Sequence, residues 1–190
     1  MYTKKNFSMK NYISYSILFV SIFFFNANFN AQEFSKLDKS PMDVSTYPAS
    51  HRESNKIVKI SYSRPQLKGR KMIDLVPSDK VWRTGANEAC EITFYSDVNF
   101  GGKNIKKGTY SLFTIPSSKE WTIILSSSLN VWGAYSYDEK EDIARVSAKV
   151  KNSKESIEAF SISFEGEKMA FEMHLGWENT IVSVPIKVSM

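Results

Sequence analysis

The sequence predicts an all-β protein, an antiparallel β-sandwich of jelly-roll or immunoglobulin-like arrangement with at most one short helix. Three observations predict it. Apolar and polar residues alternate with a period of two, β-branched and aromatic residues fill the alternating stretches, and glycine, proline or asparagine clusters punctuate them. Antiparallel strands need this alternation when one face is buried and the other is wet.

The elements follow in order. Ile57 to Tyr62 carries Val58, Ile60 and Tyr62 on one face, and Glu88 to Tyr95 carries Cys90, Ile92 and Phe94. Gly101-Gly102 joins Val98-Asn99-Phe100 to Lys103-Asn104-Ile105 as a two-residue hairpin. Thr109 to Ile115 and Glu120 to Ser126 are rich in β-branched and aromatic residues, with Trp121 in phase with Ile123 and so directed to the core. The one helical turn predicted is Asp138 to Ile143. Ala144, Val146, Ala148 and Val150 then alternate, as do Phe160, Ile162 and Phe164. Met169 to Trp177 and Val182 to Val188 complete the set, with Glu165-Gly166-Glu167 and Glu178-Asn179 as turns.

Ahead of the strands the chain divides into residues 1–31, a secretory signal peptide, and residues 32–55, a polar lead-in with little regular structure. Residues 56–190 form the sandwich domain. Lys4, Lys5 and Lys10 give the signal a basic start, and the apolar run from Ile13 to Phe25 is too short for a membrane span of about 20 residues. Cleavage falls after Ala31, where Phe29 occupies the third position upstream, or after Ala27. No later stretch is long and apolar enough to span a membrane. No cysteine follows the signal, which closes the lipoprotein route, and the single Cys90 forbids an internal disulfide. The expected location is periplasmic or extracellular.

Removing the signal changes the charge argument. The whole chain has 25 Lys and Arg against 20 Asp and Glu. Three of those lysines and none of the acids lie in the first 31 residues, leaving 22 basic against 20 acidic side chains. No basic cluster of the kind that binds nucleic acid is visible. With two distant histidines, His51 and His174, the sequence offers no zinc pattern, no nucleophile elbow and no cofactor motif. Cys90, in register with Ile92 and Phe94, reads as a small core residue.

Several segments carry a resemblance when taken together. They are Tyr62-Ser63-Arg64-Pro65 with Lys68-Gly69-Arg70, the run Val81 to Ala89, the run Gly108 to Pro116, and Trp132-Gly133-Ala134-Tyr135 before Tyr137-Asp138. In combination they resemble a secreted bacterial family catalogued as domain of unknown function 2911, of Bacteroidetes type, over roughly Ser40 to Val188. The resemblance implies an exported β domain and assigns no catalytic residue.

Two loops hold the candidate site. Arg83, Asn87 and Glu88 crowd the first, with Arg64 and Arg70 shortly before it. Guanidinium forks there suit a carboxylate, phosphate or sulfate, with Asn87 fixing orientation. A structural alternative pairs Arg83 with Glu88 and uses Trp82 to plug the core. The second loop, Ser127 to Asp142, presents Trp132 and Tyr135 beside Asp138, a mixture suited to stacking and hydrogen bonding. The reading is a binding module for a small ligand or an envelope partner, leaning away from an enzyme and requiring no metal. The alternatives are a glycan or peptide hydrolase using Glu88 and Asp138 as a carboxylate pair, and a structural subunit of an outer-membrane assembly.

Overall fold

A computed structural model describes residues Glu33–Ser189; the expected signal peptide lies outside the described residues. Nine strands follow in order: β1 (Met42–Tyr47), β2 (Val58–Ser63), β3 (Cys90–Phe94), β4 (Val98–Phe100), β5 (Lys103–Ile105), β6 (Gly108–Ile115), β7 (Glu120–Ser126), β8 (Asp142–Glu167) and β9 (Ala170–Val188). Every pairing is antiparallel, in the spatial order β1-β2-β3-β6-β7-β8-β9-β4-β5. The order is a meander from which one hairpin is displaced. The β4–β5 unit, turning at Gly101-Gly102 as the sequence predicts, leaves its neighbours β3 and β6 and joins β9 instead.

Two long strands fold this sheet into a sandwich. β8 pairs with β7 through Asp142–Lys149 and with β9 through Val150–Glu167, with register shifts around Ile157. β9 doubles back on itself. The Val188 amide donates to the Met169 carbonyl at 2.9 Å, and His174 Nδ1 lies 2.7 Å from Ser183 Oγ. Nine extended residues would span about 30 Å, so the two limbs run side by side about a bend where Glu178 has φ 52°. The sequence predicts these limbs as separate strands; the backbone joins them without a loop.

The β1–β2 side then meets β8 and β9 face to face. Tyr47 stacks on Phe171 with centroids 4.0 Å apart. The Tyr62 hydroxyl accepts from the Ile162 amide at 3.0 Å and reaches the Ile162 carbonyl at 3.3 Å, inside the core. Arg64 works as a strap rather than as a ligand donor. Its Nε donates to the Phe160 carbonyl, Nη1 to Asp43 Oδ2 and Nη2 to Ser161 Oγ, at 3.0, 2.9 and 2.8 Å. A planar fork with every edge engaged is well suited to fixing two strands against each other.

One core cluster runs between the layers and includes Cys90, Ile92, Phe94, Trp82, Trp121, Phe160 and Trp177. The alternation read from the sequence is therefore the alternation of burial. The lead-in differs from expectation: Met42–Tyr47 pairs residue for residue with β2, from Met42↔Ser63 to Tyr47↔Val58. Its weak alternation, with Met42 and Val44 facing out, hides a strand whose partner supplies the ladder bonds. The predicted helical turn is a short 3₁₀ turn, Glu139–Glu141, capped by Asp138. A second such turn, Met72–Asp74, has no sequence signal. Among the described residues no helix is long and apolar enough to cross a membrane.

Candidate functional site

Three loop segments meet at one end of the sandwich, and each is fastened by a single antiparallel bridge. Gln66 bridges to Ala159 of β8, with the Leu67 amide on the Glu158 carbonyl and the Phe160 amide on the Pro65 carbonyl. Trp82 bridges to Thr114 of β6 through reciprocal bonds of 2.7 and 2.9 Å. Glu88 bridges to Trp132, where the Ala89 amide meets the Val131 carbonyl and the Gly133 amide meets the Asn87 carbonyl. Loop backbone without ladder partners needs such ties.

Between these segments lies a cleft of about 440 Å³. Arg70 and Arg83 supply its charge, Trp82 and Trp177 its buried aromatic wall, and Tyr135 its rim. The two indoles stack at 5.9 Å with planes 10° apart, and Phe160 meets Trp82 edge-on at 5.2 Å.

The cleft gathers only part of the predicted site. Arg83, Arg70 and Tyr135 line it. Arg64 is the strap between the layers, fully engaged elsewhere. Asn87 faces Asp38, whose carboxyl is held below its ordinary value first by the Ser40 amide and then by the Asn87 side chain. Glu88 is exposed in its bridge and Trp132 is 60% exposed beside it, outside the cleft lining. Asp138 accepts from the Lys140 amide at 3.0 Å as a cap. Glu88 and Asp138 are thus not brought together in the cleft, and Arg83 does not pair with Glu88 among the described residues. Of the remaining walls, Pro65, Val81, Trp82, Gly85, Ala86 and Ala134 lie in the segments that carry the resemblance, whereas Leu75, Pro77 and Trp177 do not. Trp177 lies 94 positions after Arg83 (177 − 83), half the chain away, and the fold brings the two to one cleft.

The electrostatics of the cleft are unbalanced. Arg83 has no carboxylate partner among the described residues, and its Nε is shut away from solvent without a hydrogen bond. Arg70 is held by two carbonyls, Leu67 at 2.9 Å and Gln66 at 3.0 Å, and likewise lacks a carboxylate. Two guanidinium groups in one concavity repel each other, and a partly desolvated cation gains from an anion brought against it.

The backbone just after Arg83 is strained. Thr84 has φ 57° and Asn87 φ 60°, and left-handed backbone at a β-branched residue costs about 1–3 kcal/mol. Thr84 is fully buried and held by Thr114, whose Oγ1 lies 3.2 Å from its own. Gly85, at φ 154°, approaches so closely that an added Cβ would stand 2.8 Å from the Ser63 carbonyl oxygen.

All four segments that carry the family resemblance are now accounted for: three line the cleft, and the fourth, on β6, anchors Trp82 and Thr84 through Thr114. A family model described as "Protein of unknown function (DUF2911)" matches residues 40–186. The chain belongs to the DUF2911 family. Among curated proteins and among solved structures nothing matches. The match in this DUF2911 chain begins just before β1, so the strand missing from the sequence reading falls inside the matched region.

The second loop is locked at its far end by a polar cluster. The Tyr137 hydroxyl donates to Asp142 Oδ2 at 2.7 Å and accepts from Arg145 Nη2 at 2.7 Å, while Arg145 Nε reaches the same carboxylate at 2.6 Å. Burial, and next the Asp142 carboxylate, push the Tyr137 phenol up to about 12. An unfolded tyrosine titrates near 10. The raised folded value therefore contributes stability that is present below about pH 10 and is lost as pH rises toward 12. Thermal unfolding followed from pH 9 to 11.5 is expected to show a steeper alkaline loss in the natural protein than in Tyr137→Phe. Equal slopes would contradict this.

A larger groove, about 560 Å³, lies over β8 and β9 and is lined by Glu165, Glu172, His174 and Lys187 among others. His174 holds Ser183, but Glu172 is 3.9 Å from its other nitrogen. The groove is wide open, and none of the family segments reaches it. Among the described residues no group of three or more His, Cys, Asp or Glu is placed to hold a metal ion. Burial raises the Cys90 thiol well above its ordinary value, as suits a core residue.

Proposed function

We propose that the chain is an exported binding module whose end cleft receives a small anion through Arg83 and Arg70. The single observation that carries the reading is the pair of guanidinium groups in one concavity with no carboxylate to neutralise them. Bidentate capture of a carboxylate or phosphate is the chemistry such groups perform best. The strained Thr84–Asn87 backbone supports it, because strain of this kind concentrates at ligand clamps.

Calorimetric titration with benzoate and phenyl phosphate tests the reading. Hydrogen bonds to charged groups contribute about 1.5–3 kcal/mol, so Arg83→Met is expected to weaken binding by about 10- to 150-fold. Lys187→Met, in the open groove, is expected to leave it unchanged. Binding that survives Arg83→Met intact would remove the basis of the proposal.

Export rests on the basic, apolar and small-residue parts of residues 1–31. The intact mass of the protein recovered outside the cytoplasm is expected to correspond to a chain starting at Gln32 or Asn28. A chain retaining Met1 and remaining inside the cell would refute export.

A further inference from the structure

We infer that the anion taken by this cleft carries a flat apolar group, so that the ligand is an aryl carboxylate or aryl phosphate rather than a bare inorganic anion. The inference rests on the anion-binding reading and specifies its substrate class. Beside the two arginines and Ser40, the lining includes an apolar set: Leu75, Val81 and Ala134 join the prolines Pro65 and Pro77. A bare phosphate would leave those walls facing water and use only the guanidinium ends.

Tyr135 gives the apolar part its shape. The side chain stands at the rim, 85% exposed, although it belongs to the lining of a concavity. Its ring lies against Gly133, close enough that a Cβ there would stand 2.7 Å from it. Gly133, at φ 70°, therefore leaves room for the ring edge at Cδ2 and Cε2 beside bare backbone. The rest of the ring is open to solvent. A planar group entering the cleft covers that open surface, and offset stacking of this kind adds to the burial of apolar area. Arg83 fits the same ligand. Its Nε is shut away from solvent, so the anion is received at the Nη ends.

Four probes separate the parts of the claim: phenyl phosphate, inorganic phosphate, benzoate and acetate, titrated calorimetrically into the protein at fixed ionic strength. Phenyl phosphate is expected to bind at least tenfold more tightly than inorganic phosphate, and benzoate at least tenfold more tightly than acetate. The stronger of the two aryl probes identifies the anion. Tyr135→Ala, at an exposed position where folding is not at stake, is expected to erase most of that margin while leaving inorganic phosphate binding unchanged. Equal affinity for aryl and bare anions would overturn this inference and leave the anion cleft standing. A margin that survives Tyr135→Ala would also overturn it. Binding of none of the four would overturn both.

Discussion

Trp82→Ala is expected to lower the free energy of unfolding by about 3–5 kcal/mol, the range for removing a large buried aromatic side chain. The indole is 5% exposed and meets three aromatic partners: Trp177 in parallel, Phe160 and Trp121 edge-on. Those partners come from β7, β8 and β9, so the loss is shared by both layers of the sandwich. The same side chain forms the inner wall of the cleft. Urea unfolding should show a lower midpoint with an unchanged slope, since the folded surface is otherwise retained. A loss under about 1 kcal/mol would mean that the neighbours close the gap, and the packing account would be wrong.

Gly85→Ala, a change of one methyl group, is expected to cost about 2–6 kcal/mol. Two effects add. A side chain at φ 154° occupies backbone territory that costs about 1–3 kcal/mol. The new Cβ meets the Ser63 carbonyl oxygen at 2.8 Å, and backbone cannot move aside as a side chain tip can. Overpacking of this sort costs a further 1–3 kcal/mol, roughly. Because Gly85 itself lines the cleft, the substitution is also expected to weaken anion binding. An unchanged unfolding midpoint would show that the loop has more freedom than its close approach implies.

How much of this was legible in the sequence depends on which interactions set each feature. Strand positions were readable because Ile60, Ile92 and Phe160 face the core at every second residue, and burial follows that period. β1 was not readable, since its outer face carries Met42 and Val44 while its inner face carries Asp43 and Ser45. Pairing with β2, not patterning, makes it a strand. The helical turn predicted at Asp138 to Ile143 is present as the shorter Glu139–Glu141 turn, with Asp138 as its cap.

The site divides along the same line. Arg83 and Tyr135 were identified from residue type and local density, and both line the cleft. Arg64 looked like an equivalent cation, yet its role is decided by Phe160 and Ser161, nearly a hundred residues later in the chain. Asp138, read from the sequence as a ligand group, serves in the structure as a cap through Oδ1. Local sequence supplies the donors; distant partners decide which of them stay unoccupied.

The central claim is that the unneutralised guanidinium pair makes this cleft the binding site. Nuclear magnetic resonance of the isotope-labelled protein, titrated with phenyl phosphate, tests it most directly. The account predicts shifts concentrated on the Arg83 and Arg70 side chains, the indole signals of Trp82 and Trp177, and the amides from Val81 to Ala89. Shifts confined to His174, Ser183 and Lys187, with those signals unmoved, would place the binding surface on the open groove and contradict the account.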